Sequence, residues 1–290
     1  MRTSVMSAII LGLVATACVD IPVSSVDDGS VASDADASAV SDAMIDASPD
    51  LLSLVDLGLL VRYFIDEASA GQTRKKVLDH GPGVALDLDI FYDGELDYFA
   101  ILGNRGLAWR RAGRKDIASA AIDGSKIRDL DNSTTGTIEI VAHIVAVMPE
   151  YAHLLHIGDS SDDSGHFTLR TNDINEVQLW LNNAELAAWD VTLGIRTVLT
   201  VVVDTTQVTD TDRVKLYVDG TLVNQDRSSP PTVNTPIMIP GNRSLSLGNS
   251  PNEDGRSIEG RIYYAALYEN ALTQEQAKQN ASLLIVNDDQ

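Results

Sequence analysis

The amino-acid sequence predicts an all-β fold of the sandwich or barrel kind, on three observations. The first is a hairpin written out at Arg213–Val223, RVKLYVDGTLV, where two alternating runs flank Asp219-Gly220. A two-residue Asp-Gly link between such runs is the strongest local signal for a type I′ turn, because that turn needs positive φ at both central positions. The second is the recurrence, about every 8 to 12 residues, of short alternating runs separated by Gly, Asp, Asn and Ser. The third is that one convincing helical pattern is present, at residues 273–284. Within the hairpin Val214, Leu216 and Val218 point one way and Arg213, Lys215 and Tyr217 the other, so one buried and one polar face are expected.

The chain opens on a different kind of segment. Arg2 supplies a positive start, Val5–Val14 an apolar stretch and Ala15-Thr16-Ala17 a small-residue cleavage site. Residues 1–17 therefore read as an export signal, with an apolar part too short to cross a bilayer. The single cysteine, Cys18, follows at once and excludes an intramolecular disulfide. This junction resembles a bacterial lipobox, with Ala15 where Leu is usual. The resemblance implies lipidation of Cys18 and stable anchoring through several acyl chains, and Val19 in place of Asp implies the outer membrane or cell surface. Ordinary cleavage at the same bond, giving a secreted protein with a free thiol, is the alternative.

Residues 19–50 carry eight Asp and no Lys or Arg. A segment so acidic and so poor in large apolar residues cannot offset the entropy of ordering, which predicts a disordered tether over 18–50 and one domain over 51–290. The chain's net charge of −21, from 21 Lys+Arg against 42 Asp+Glu, excludes the basic footprint of a nucleic-acid binder and disfavours anionic partners.

A short helix is expected at 51–57. Strands follow at 59–65, 84–90, 96–102, 118–123, 137–147, 153–157, 166–171, 177–182, 186–191, 198–204, 213–218, 222–225, 244–247 and 258–268. At the C-terminal end Thr273 is a good N-cap, Gln276 completes a capping box, and Ala277, Ala281 and Leu284 form one stripe.

Several of these segments carry a resemblance. LYVDG at 216–220 is preceded by VLTVVVD from Val198 and followed by LSLG at 245–248 and GRIYYAALYENALTQEQ from Gly260; the opening is GLLVRYFIDEASAGQTRKKVLDHG from Gly58. In this order they resemble a laminin-G-like domain of the concanavalin A-like lectin/glucanase superfamily, over about Gly58 to Leu284. The resemblance implies a two-sheet antiparallel jelly roll β-sandwich closed by a short C-terminal helix. It does not choose a function, because one fold carries many.

The glucanases of that superfamily carry ExDxxE on one strand, where two carboxylates about 5 Å apart act as nucleophile and acid/base. Here the nearest string is Glu95-Leu96-Asp97-Tyr98-Phe99-Ala100, and Ala100 replaces the acid/base. No HExxH, GxSxG or P-loop string is present. His153 and His156, three apart on a strand, are expected on opposite faces, which argues against a shared metal.

A binding surface is better supported. In VQLWLN alternation turns Gln178, Trp180 and Asn182 outward, and in HFTLR it turns His166, Thr168 and Arg170 outward. A short link makes the two strands antiparallel partners, so Trp180, Gln178, Asn182, Thr168 and Arg170 are expected to form one patch. An aromatic plane beside amides, a hydroxyl and a guanidinium suits a sugar; a structural, covered tryptophan is the alternative. Trp189 reads as core and Trp109 as either. Asp159, Asp162 and Asp163, on a Gly-ended loop, are candidate ligands for calcium, against a solvated acidic turn; Asp79 and Asn249 are further loop oxygens. These readings combine into a cell-surface recognition lipoprotein, non-catalytic, whose partner is a polysaccharide or other glycan or a cell-surface protein. The competing readings are a divergent glycoside hydrolase or polysaccharide lyase and a structural envelope protein.

Overall fold

Short strands build the domain, alternating in segments such as 214–218 and near-continuously apolar in others such as 198–203 and 262–268. The computed structural model describes residues 53–67, 74–94, 96–101, 104–146, 151–159, 165–224, 234–251 and 256–288. The expected export signal, Cys18 and the acidic tether lie outside the described residues.

The strands are β1 (Leu59–Phe64), β2 (Lys76–Val77), β3 (Leu88–Phe91), β4 (Leu96–Ile101), β5 (Asn104–Trp109), β6 (Ile117–Ala121), β7 (Thr135–Ala146) and β8 (Tyr151–Gly158). They continue with β9 (Phe167–Asn172), β10 (Glu176–Leu181), β11 (Ala184–Asp190), β12 (Arg196–Asp204), β13 (Val214–Val218), β14 (Thr221–Val223), β15 (Ser244–Leu247) and β16 (Glu259–Tyr268). The first sheet runs β14-β13-β12-β7-β16-β5-β4, with β1 on the C-terminal half of β16; the second runs β11-β10-β9-β8-β15-β6-β3-β2. All strand pairs are antiparallel. Among the described residues the architecture is a jelly roll sandwich with one short helix near the C-terminus, α2 (Gln274–Val286), besides the single turn α1 (Asp210–Arg213) and a 3-10 helix at Lys126–Leu130.

The hairpin is closed by Asp219 (φ 50°) and Gly220 (φ 76°), the positive values that a type I′ turn requires. Its expected polar face is a correction: Tyr217 is buried, packed with Val198, Val202, Ala277, Ala281 and Leu284. The reason is α2, which lies over the outer face of the first sheet, so this sheet buries apolar side chains on both sides while the inter-sheet core takes Leu199, Val201 and Leu216. The helix starts with the expected capping box: Gln276 N–H donates to Thr273 Oγ1 at 3.2 Å and Thr273 N–H to Gln276 Oε1 at 2.8 Å. At its other end Arg196 Nη2 donates to the Leu284 carbonyl at 2.6 Å and pairs with Asp288 at 2.6 Å; a cation there suits the helix dipole.

Three further expectations change. Residues 53–56 are not helical and lead into a turn at Leu57-Gly58. The strand expected at 84–90 is confined to β3, because Pro82 and Gly83 (φ 79°) hold 81–87 as a loop. Strand β5 was not expected, since Arg105 and Gly106 interrupt its pattern. It completes the first sheet, and Trp109 on it is core, with Nε1 donating to the Asp116 carbonyl at 3.0 Å. Trp189 is fully buried, as expected.

Candidate functional site

The outer face of the second sheet carries the candidate site. β9 and β10 pair with Gln178 opposite Arg170 and Trp180 opposite Thr168. Gln178 Oε1 accepts from Arg170 Nε at 3.1 Å and from Trp180 Nε1 at 3.2 Å, which fixes both neighbours. The guanidinium of Arg170 then lies 3.8 Å from the centre of the Trp180 ring and 4.2 Å from that of Tyr151. The Arg256 guanidinium lies 4.0 Å from the centre of the same Tyr151 ring. Trp180, Arg170, Tyr151 and Arg256 thus form a ladder of alternating rings and cations. Arg170 is 7% exposed, whereas Trp180, Tyr151 and Arg256 remain partly open to solvent. Such stacking contributes roughly 0.5–2 kcal/mol per contact and holds the rings in place before any ligand arrives.

Trp180, Gln178 and Arg170 therefore come together as expected. Thr168 is closed off from solvent, and Asn182, though partly open, is committed to a neighbouring segment. Thr168 is fully buried and hydrogen-bonded to His156 Nδ1 at 3.1 Å. The cover is Gly165 (φ 74°): a Cβ there would lie 2.0 Å from Thr168 Oγ1 and 2.7 Å from the His156 ring, so only glycine lets the backbone approach so closely. Asn182 sits in the β10–β11 turn with φ 52°; its Nδ2 donates to the Pro236 carbonyl at 2.9 Å and its Oδ1 accepts from Met238 N–H at 2.8 Å. It pins a neighbouring segment.

His153 and His156 are a second correction. Their ring centres are 4.7 Å apart, both buried, because the register of β8 shifts between His153 and Leu155. A bulge of this kind turns a three-residue spacing onto one face. His153 also meets Tyr151 edge-on at 5.4 Å, extending the aromatic cluster. Tyr151 and Arg256 had no mark in the sequence: the first opens a strand, and the second is brought in by the residue after it, Ser257, which bridges to His153.

Asp159 Oδ2 is paired with Arg243 at 2.6 Å, and a guanidinium repels a cation. Asp162 and Asp163 lie outside the described residues. Asp79 accepts from the backbone N–H groups of Arg62, Gly81 and Leu86 and pairs with Lys126 at 2.7 Å, while Asn249 donates to the Arg114 carbonyl at 2.7 Å. Among the described residues no three His, Cys, Asp or Glu converge. Of the glucanase-like string, Asp97 is ion-paired with Arg110, and Glu95 lies outside the described residues.

Fold and site together define an antiparallel jelly roll with a preformed aromatic and cationic surface. The model of the laminin-G type of the concanavalin A-like lectin/glucanases superfamily matches residues 123–278, more than half of the chain. The chain belongs to this superfamily. No curated protein matches the sequence. Among solved structures it is similar to a mutant of Trypanosoma rangeli sialidase displaying trans-sialidase activity, at TM-score 0.54 and 13% identity, over 79% of this chain and 33% of that one. Trypanosoma rangeli sialidase in complex with sialic acid gives TM-score 0.50 and 13% identity, over 80% and 34%. The botulinum neurotoxin serotype G binding domain gives TM-score 0.55 and 9% identity, over 78% and 50%. The matched region thus spans about a third of the sialidase and half of the toxin domain.

Proposed function

We propose that this protein is a non-catalytic recognition module that binds glycans through the outer face of the second sheet, carried on an exported chain lipidated at Cys18 and held by an acidic tether at the outer membrane or cell surface. The observation that carries the reading is the ladder of Trp180, Arg170, Tyr151 and Arg256. Two partly open rings already locked by guanidiniums offer stacking planes for the C–H face of a sugar without the entropic cost of ordering them on binding. The two cations also give this face donors for hydroxyl or acidic groups within an otherwise acidic chain. The fold shared with a sialidase solved with sialic acid supports glycan as the partner over a protein surface.

The test is a glycan array and polysaccharide titration with the purified protein and its Trp180→Ala and Tyr151→Ala variants. Binding is expected for the wild type and lost in both variants while their melting stays cooperative. Absence of any glycan binding by the wild type, or unchanged binding in both variants, would leave a protein partner or a structural envelope role as the better reading.

A further inference from the structure

A separate site lies against the inner face of the first sheet. Alternation along β12 places Thr197 in line with Leu199, Val201 and Val203, and the last three belong to the core between the sheets. Thr197 brings a hydroxyl into an otherwise apolar row. Where β11 ends, the chain turns through 191–195 and leaves a cavity of about 240 Å³, walled by Ala142, Leu199, Val218 and Thr197, with Ile195 from the exposed turn and Asp190 from the end of β11.

Two features of this cavity point to an occupant. Thr197 is 9% exposed, yet its Oγ1 has no hydrogen-bond partner among the described residues. A buried hydroxyl left unpaired costs about 1–3 kcal/mol. The other polar side chains of the lining, Asp190 and Thr192, lie at its exposed rim, so the Thr197 hydroxyl is the buried polar group that an occupant would meet. The size is also informative. A dry cavity of about 150 Å³ holds benzene, and sites for drug-sized molecules begin near about 300 Å³; 240 Å³ lies between. The carboxylate of Asp190 beside it and the chain's net charge of −21 disfavour an anion.

We propose that this cavity binds a neutral, mostly apolar molecule of one or two rings whose single hydroxyl or carbonyl pairs with Thr197. The site shares no residue with the glycan surface and does not depend on that reading.

Calorimetric titration of the full protein with 2-naphthol, and with 2-naphthoate as its anionic counterpart, tests this. Saturable 1:1 binding of 2-naphthol is expected, with 2-naphthoate at least tenfold weaker. Thr197→Val, which keeps the shape and removes the hydroxyl, should weaken 2-naphthol roughly fivefold, the worth of about one hydrogen bond. Ala142→Leu, which fills the cavity, should abolish binding. The proposal is overturned if 2-naphthol does not saturate the wild type, if 2-naphthoate binds equally well, or if either folded variant binds like the wild type.

Discussion

Asn280 on α2 and Glu139 on β7 meet in the buried layer between helix and sheet: Asn280 Nδ2 donates to both carboxylate oxygens, at 3.2 and 3.0 Å. Tyr268 and Tyr264 hydroxyls from β16 donate to Glu139 Oε2 at 3.1 and 3.4 Å, and Thr200 from β12 to Oε1 at 3.3 Å. From β1, Arg62 reaches the same cluster through Tyr264 at 3.2 Å and also holds Asp56 and the Val55 carbonyl, while Val55 N–H donates to Asn280 Oδ1. One polar cluster therefore ties together the entry of the chain into the domain, the first sheet and the closing helix.

Burial pushes the Glu139 carboxyl up to about 7, against the lowering effect of Tyr268, Asn280, Thr200 and Arg62. An acid whose pKa is higher in the folded state binds more protons there than when unfolded. Its contribution is complete below the unfolded value of about 4.5 and is lost as pH rises through about 7. The difference amounts to about 3 kcal/mol. Urea unfolding from pH 4.5 to 8 should show stability falling over this window in the wild type and a flatter profile in Glu139→Gln. An unchanged slope in the variant would remove Glu139 as the cause.

Arg170 touches two rings and the Gln178 amide with one planar group. Lysine is a point charge without a plane, so Arg170→Lys is not conservative here. A loss of about 1–2 kcal/mol in stability is expected from the broken contacts, together with weaker glycan binding. A fully stable Arg170→Lys variant that still loses binding would place the arginine in direct contact with ligand rather than in support of the rings.

Gly165→Ala should be costly on two counts. The position has φ 74°, which costs a side-chain-bearing residue about 1–2 kcal/mol, and the new methyl would collide with Thr168 and His156 in a packed layer. A combined loss of about 2–4 kcal/mol in urea titration is expected. A small loss would mean that the strand end swings away easily, and Thr168 would then be reachable by ligand.

The sandwich was legible because its signals are local: an Asp-Gly turn, alternation along each strand, and a capping box at Thr273. The neighbours Gln178, Trp180 and Arg170 were legible for the same reason, since alternation and a short link fix them on two adjacent strands. What alternation does not contain is the environment of an outward face. The shift in β8 put His153 and His156 together, Gly165 closed over Thr168, and Arg256 arrived from a distant segment to complete the ladder. Tyr217 failed for a related reason, because the helix that buries it follows much later in the sequence.

The proposed lipidation of Cys18 would set where this surface works. A single acyl chain gives only marginal membrane binding, whereas several hold a protein stably, and an unlipidated thiol at the new amino terminus would leave the domain free to diffuse. Metabolic labelling with an alkyne fatty acid in a bacterial host should mark the wild-type chain and not Cys18→Ser, and fractionation should move the variant from the membrane to the soluble exported fraction. Equal labelling of both proteins, or a soluble wild type, would mean cleavage by ordinary signal peptidase. The acidic stretch at 19–50 would then be a leader on a secreted lectin-like domain, and recognition would act at a distance from the producing cell.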